Sequence, residues 1–359
     1  MSTNVDSEFA RKPIFFERNR VYRVYKGGKL FYDFFDGSDP PEDSNEPEEW
    51  IASDVKALNK VQKTPRDGIS KIKGSDVFFD DLIAENRELI LGDRNSLGIL
   101  VKMLDSGIRL PVQAHPDKAF SRQYFSSEYG KAEAWIVLAT RENASVYMGF
   151  KDLIEPADFI EVCNRSETEK DCIEPLLNRI PVAAGDVFFI SAGLVHAIGY
   201  GCLILEIQEP TDFTIQPEAW CGDYQLNEYE KFLGLPADIA FKCFDYDLYG
   251  ENAVNKGKKI PETHFINNGV TVHELITARD TDCFGLKRYI LTDGILSELY
   301  APAIYIVTAG NGCLCAGINE YQLTRGDYFF LPYCINGDCT VKGDLEIVQC
   351  LPPKVESKR

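Results

Sequence analysis

The feature that most constrains this chain is a series of short apolar runs separated by turn residues, starting near Ile108. They include LPVQAH (110–115), AWIVLA (134–139), ASVYMGF (144–150), DVFFI (186–190) and CLILEIQ (202–208). Runs of this length, rich in β-branched and aromatic residues, predict strands of an antiparallel sandwich or barrel. All are far short of the roughly 20 apolar residues of a membrane-spanning helix. A second β stretch, from about Thr271 to Leu351, echoes the first. Gly185-Asp186-Val187-Phe188-Phe189-Ile190 returns as Gly326-Asp327-Tyr328-Phe329-Phe330-Leu331, and AWIVLAT (134–140) has a weaker counterpart in IYIVTAG (304–310). Two copies of one small barrel are the simplest source of such an echo.

Around these runs the texture differs. Met1 to Arg11 is polar and lacks an apolar signal core, so it predicts a loose arm and no export. Val21–Tyr25 predicts a strand. Asp36 to Glu49 (DGSDPPEDSNEPEE) combines carboxylates and prolines with no basic residue, the pattern of a solvated loop. Asn59 to Phe78 predicts more loop. Leu82, Ile83, Leu89 and Ile90 at helical spacing predict helix-rich packing over Phe79–Asp105. Further helical periodicity falls at Ser121–Glu128, at Asp152–Arg179 and at Pro217–Asn255. The expected division is an N-terminal module over 1–235, a helical or loop connector over 236–270 and a C-terminal module over 271–359.

Composition narrows the partners. With 45% hydrophobic and 26% charged residues the chain is ordinary globular material. Its formal charge of −18 gives it no means of gripping a nucleic-acid backbone or an anionic membrane surface. The 11 cysteines are odd in number and form no CxxC. Several sit inside apolar runs, as small core residues of a reduced, cytoplasmic protein do.

Only four histidines occur. In LPVQAHPDK, period-2 alternation puts Gln113 and His115 on one face and Leu110, Val112 and Ala114 on the other. Glu133 opens the next apolar strand, sharing a face with Trp135 and Val137, and a carboxylate there needs a partner. His196 follows a glycine-containing turn in GDVFFISAGLVHAIG. Two imidazoles, a carboxylate and an amide oxygen make an N/O donor set for a divalent ion, which on chemistry alone suits Zn²⁺, Fe²⁺, Mn²⁺ or Ni²⁺.

These segments resemble the cupins. Gly185-Asp186, the apolar strand, Ser191-Ala192-Gly193 and His196 follow the second cupin motif, with Ser191 where proline is usual. Gln113-x-His115 in place of His-x-His resembles the type I phosphomannose isomerase family, whose metal site begins Q-x-H-P-x-K. The likeness continues through Lys131-x-Glu133, the string A-G-x-x-H-A-[IL]-G ending at Gly199, Leu205-Glu206-Ile207-Gln208 and Asp212. It implies a mainly β fold of two cupin-type (jelly-roll) modules with helical insertions. It also implies one divalent metal ion, normally zinc, held by Gln113, His115, Glu133 and His196. The implied reaction interconverts mannose 6-phosphate and fructose 6-phosphate through an enediol(ate). Lys131 would face the metal-bound sugar as the base, Asp212 would assist proton movement, and Lys118 and Arg122 are candidates for contacts to the sugar phosphate.

One position departs from the pattern. Four residues after the aspartate matching Asp212 the family has an arginine, and here Gln216 stands there, with no arginine between Arg179 and Arg279. A neutral amide donates a hydrogen bond but no charge, and Lys231 or Lys242 would have to replace the cation in space. Two rivals follow: a catalytically weak sugar-phosphate-binding cupin, and an iron-dependent cupin oxygenase using His115, Glu133 and His196. The second module carries no ligands, since the echo puts Gly337 at the His196 position and Ala303 at that of Glu133.

Overall fold

The computed structural model describes residues 6–59, 62, 64–267 and 269–354. The part that matters for the site is a seven-stranded antiparallel sheet. Across it the strands run Lys258–Lys259, Val187–Ile190, Glu133–Thr140, Cys202–Gln208, Leu100–Asp105, Glu48–Ile51 and Arg20–Val21. A three-stranded sheet of Leu177–Pro181, Ser145–Phe150 and His196–Ile198 packs against one face of it. Trp135, Val137 and Ile204 from the large sheet meet Val146, Met148 and Ile198 from the small one in a closed apolar core. This is the mainly β layering of packed antiparallel sheets that the run lengths predict, and it agrees with the cupin-type fold that the resemblance implies.

The other face of the seven-stranded sheet is also buried. Ala134, Ile136, Val101, Met103, Leu203 and Leu205 pack on the helix Phe79–Leu91 and on Ile304, Ile306, Phe330 and Val348 of an eight-stranded sheet. That sheet is built from Glu262–Asn267, Val270–Ile276, Gly285–Leu296, Ala303–Ala316, Asn319–Thr324, Tyr328–Leu331 and Cys339–Leu351, with Ile14–Phe15 added at one edge. Its outer face closes over a separate core containing Tyr305, Leu314, Phe329 and Ile347. The repeated hexapeptide has the same register in both sheets, pairing Ile190 with Glu133 and Leu331 with Ala303.

Several expectations change. Phe79–Asp105 is helical only as far as Leu91, and Leu100–Asp105 is a strand buried along its whole length. A strand covered on both faces has no polar alternation, so a short apolar run there reads equally well as helix. The acidic segment is not a solvated loop at its end: Glu48 and Glu49 begin the strand Glu48–Ile51 and are 2% and 0% exposed. Earlier in the segment Asp43 pairs with Arg141. The N-terminal arm lies partly outside the described residues, and from Asp6 it is a short helix followed by fully buried Ala10. Asp152–Arg179 holds one helix, Pro156–Arg165, before turning into the strand Leu177–Pro181. Pro217–Asn255 contains the two-residue strands Trp220–Cys221 and Tyr224–Gln225 besides short helices. All eleven cysteines are free thiols, and all but Cys315 and Cys334 are buried.

Candidate metal centre

The local chain path explains how three separate segments meet. Gln113 and His196 form an antiparallel backbone pair, each N–H donating to the other's carbonyl at 2.9 Å, which brings their side chains to one face. His115 continues the same alternation, and its carbonyl accepts the Gly193 N–H at 2.8 Å. Gly193 has φ of +80° in the turn before His196, a conformation that glycine adopts without strain. Glu133 opens the central strand opposite Ile190, so its carboxylate enters from the large sheet while both imidazoles come from the opposite side.

The three side chains converge. Glu133 Oε2 lies 3.2 Å from His115 Nε2, and Oε1 lies 3.4 Å from His196 Nε2. All three are essentially without solvent exposure. Each imidazole donates its Nδ1–H to a backbone carbonyl, His115 to Phe213 at 3.0 Å and His196 to Leu194 at 2.8 Å. That fixes the tautomer and leaves both Nε2 lone pairs facing the carboxylate. His196 Nε2 is buried with no hydrogen-bond partner, a costly arrangement unless something binds there.

The protonation states suit the same purpose. Burial, reinforced by Lys131, pushes His115 down to about 3. Burial also lowers His196. For Glu133 burial works the other way, but Lys131 and the two imidazoles outweigh it and keep the carboxyl well below its ordinary range. Two neutral imidazoles and one carboxylate are therefore ready as ligands, and the residues present fit a divalent N/O-seeking cation. The Gln113 amide lines the adjoining cavity without a side-chain hydrogen bond among the described residues, free to serve as a fourth donor.

Lys131 approaches the cluster directly: its Nζ donates to His115 Nε2 at 2.8 Å and to Glu133 Oε2 at 3.0 Å. The cluster opens into a cavity of about 840 Å³. Its walls carry Lys131, Glu133 and Gln113 together with Asp212 and Gln216, so five of the nine residues singled out from sequence share this cavity. Lys118 and Arg122 do not line it. Both sit on the helix Lys118–Phe125, Lys118 near Asp282 and Glu209 and Arg122 paired with Glu128. Gln216 donates its amide to the Glu230 carbonyl at 2.9 Å. Neither lysine suggested as a substitute cation reaches the wall: Lys231 is paired with Glu228, and Lys242 is exposed in a short 3₁₀ turn.

Sequence reasoning missed a second set of charges in the same cavity. Arg23, Glu48, Lys102 and Glu206 all line it. Register puts Trp50, Lys102, Glu206 and Trp135 side by side across four strands, forming a polar ladder on an otherwise apolar face. Lys102 Nζ lies 3.3 Å from Glu206 and 3.9 Å from Glu48. Burial, together with the Glu133 charge, pushes Glu206 up to about 8. Arg23 donates Nε to Glu48 at 2.9 Å and clasps both oxygens of Asp212 at 3.1 Å. The available signal was the charge inside an apolar run, Lys102 in GILVKML and Glu206 in CLILEIQ, which demands a buried partner just as Glu133 does.

Comparisons with known proteins agree with this geometry. Residues 23–147 match the family described as phosphomannose isomerase type I, catalytic domain. The chain is 28% identical over 344 residues to a mannose-6-phosphate isomerase of Streptococcus mutans, spanning 94% of this chain and 97% of that one. It is also 28% identical to the mannose-6-phosphate isomerase ManA of Bacillus subtilis, over 72% of this chain and 75% of its relative. In fold it is similar to the crystal structure of the mannose 6-phosphate isomerase from Bacillus subtilis, with a TM-score of 0.74 at 23% identity, covering 94% of this chain and 99% of that one. The catalytic-domain match lies over the segments that carry Gln113, His115 and Glu133, and the similarity to the mannose-6-phosphate isomerase of Streptococcus mutans extends over nearly the whole chain.

Proposed function

We propose that this protein is a metal-dependent aldose–ketose isomerase interconverting mannose 6-phosphate and fructose 6-phosphate. The observation that carries the reading is the buried His115–Glu133–His196 cluster with an unpartnered Nε2, opening beside Lys131 into a cavity roomy enough for a hexose phosphate. His115, Glu133 and His196, with Gln113 as fourth donor, would hold one divalent ion; of the ions the donor set suits, zinc is the one the family resemblance implies. When bound, such an ion supplies positive charge that polarises sugar oxygens and stabilises an enediolate.

The chain's own residues divide the remaining work. Lys131 would be the base that moves a proton between C2 and C1, since its amine lines the cavity and already reaches His115 and Glu133 of the metal cluster. Glu133 keeps that amine directed into the cluster. The apolar layer of Trp135, Ile198 and Leu104 behind the site excludes bulk water. In this reading the C-terminal module, over 271–359, is structural: its strands cover the outer face of the metal-bearing sheet. Among the described residues no helix is long and apolar enough to cross a membrane, and the eleven free thiols support a reducing compartment, the cytoplasm.

A coupled assay on mannose 6-phosphate with metal-reconstituted protein tests the reading. Turnover is expected, together with loss of bound metal in Glu133→Ala and His196→Ala. Unchanged metal stoichiometry in either variant contradicts the ligand assignment. Oxygen consumption with Fe²⁺ and no isomerisation contradicts the reaction.

A further inference from the structure

The cavity has three cationic side chains among its described lining residues, and two are already committed. Lys131 is bonded into the metal cluster. Lys102 is buried between Glu206 and Glu48, its side chain 6% exposed. The third is Arg23. Four of its five N–H groups have acceptors: Nε on Glu48, Nη1 on Asn59 and Asp212, and Nη2 on Asp212. One Nη2 hydrogen is left without an acceptor among the described residues. Both Asp212 oxygens are held by this clamp, and one of them also accepts the Leu58 N–H at 3.1 Å, so Asp212 is tied down as an orienting group.

Position favours the reacting end of the cavity. Asp212 directly precedes Phe213, whose carbonyl accepts the His115 Nδ1–H, so the segment that fixes Arg23 is also bonded to the metal cluster. Gln216, the other donor on this segment, has turned its amide to the Glu230 carbonyl. A guanidinium stays charged, presents its hydrogens in a fixed plane and cannot act as a base. Held by two carboxylates, it loses field strength but gains a fixed direction, and a preoriented donor stabilises developing charge without reorganising.

We propose that Arg23, positioned by Asp212 and Glu48, is the cation that contacts the negative oxygen developing at the reacting end of the sugar, a role that rests on the isomerase reading above. Two five-carbon probes separate this role from its rivals. D-Arabinonate 5-phosphate carries a carboxylate where the enediolate charge develops; D-arabinitol 5-phosphate is neutral there. Calorimetry on metal-loaded protein is expected to show the wild-type chain preferring the carboxylate probe. Arg23→Gln should lose about tenfold or more of that preference while binding the alditol as before. Arg23→Lys, which keeps the charge but not the fork, should lose less, and it carries the test if Arg23→Gln does not fold. Equal losses on both probes would move Arg23 to the phosphate and overturn the proposal. Unchanged binding of both in the two variants would make Arg23 a structural residue only. A wild-type chain that binds neither probe fails the isomerase reading itself, and this assignment with it.

Discussion

Replacing His196 by glutamine gives a direct thermodynamic test of the metal centre that needs no turnover. In the metal-free chain His196 Nε2 already lacks a partner, so its loss removes no hydrogen bond; the substitution disturbs packing against Trp135, whose ring lies 5.6 Å away, and the Nδ1 bond to Leu194. The metal-free variant therefore takes a modest loss. The metal-dependent increment is a separate quantity. An ion that binds only the folded state at one hundred times its Kd stabilises it by about 2.7 kcal/mol. At roughly 2.1 cal/mol/K of unfolding entropy per residue, a chain of 359 residues has about 0.75 kcal/mol/K, so the expected rise in Tm is about 4 °C. Differential scanning of wild type and His196→Gln, each with and without Zn²⁺, reads this increment. It should be present in the wild type and nearly absent in the variant, whatever the two metal-free Tm values are. An undiminished increment in His196→Gln would refute the ligand assignment, because the ion would then be bound by other residues.

Two further substitutions probe the buried charges. Lys102→Met leaves Glu206 and Glu48 without their shared ammonium, and should cost about 3 kcal/mol or more in denaturant unfolding; Lys102→Met combined with Glu206→Gln should be more stable than the single variant, and simple additivity of the two losses would count against the pairing. For Glu48, burial works to raise its pKa, but Arg23 and Lys102 hold it well below the ordinary 4.5. A carboxyl depressed in the folded state contributes stability that is complete above its unfolded value and lost as pH falls below it. Wild type should therefore lose stability more steeply than Glu48→Gln between about pH 5 and pH 3, and a constant gap between them across that window would exclude the mechanism.

The site was more legible in the sequence than the fold around it, for a physical reason. Gln113, His115, Glu133 and His196 stand out because each is polar on an alternating or apolar strand, where burial makes an unpaired polar group expensive. The strand Leu100–Asp105 was not legible as a strand, since burial on both faces removed the alternation that separates strand from helix. Arg23 and Glu48 were hidden differently. Glu48 follows a run of carboxylates and prolines whose composition predicts solvent, yet the chain threads it into the sheet beside Leu104, and Arg23 becomes a cavity residue because the strand Arg20–Val21 just before it pairs with Glu48 and Glu49. Composition averages over a segment, whereas pairing acts on single residues. The apparent loss of the arginine expected at Gln216 is the clearest case. Read along the sequence, the cavity has one positive charge too few. In space, a residue nearly two hundred positions earlier reaches Asp212, the residue four positions before Gln216, through two hydrogen bonds of 3.1 Å. A count of charges near a motif is thus no measure of the field inside a cavity whose walls come from both ends of the domain.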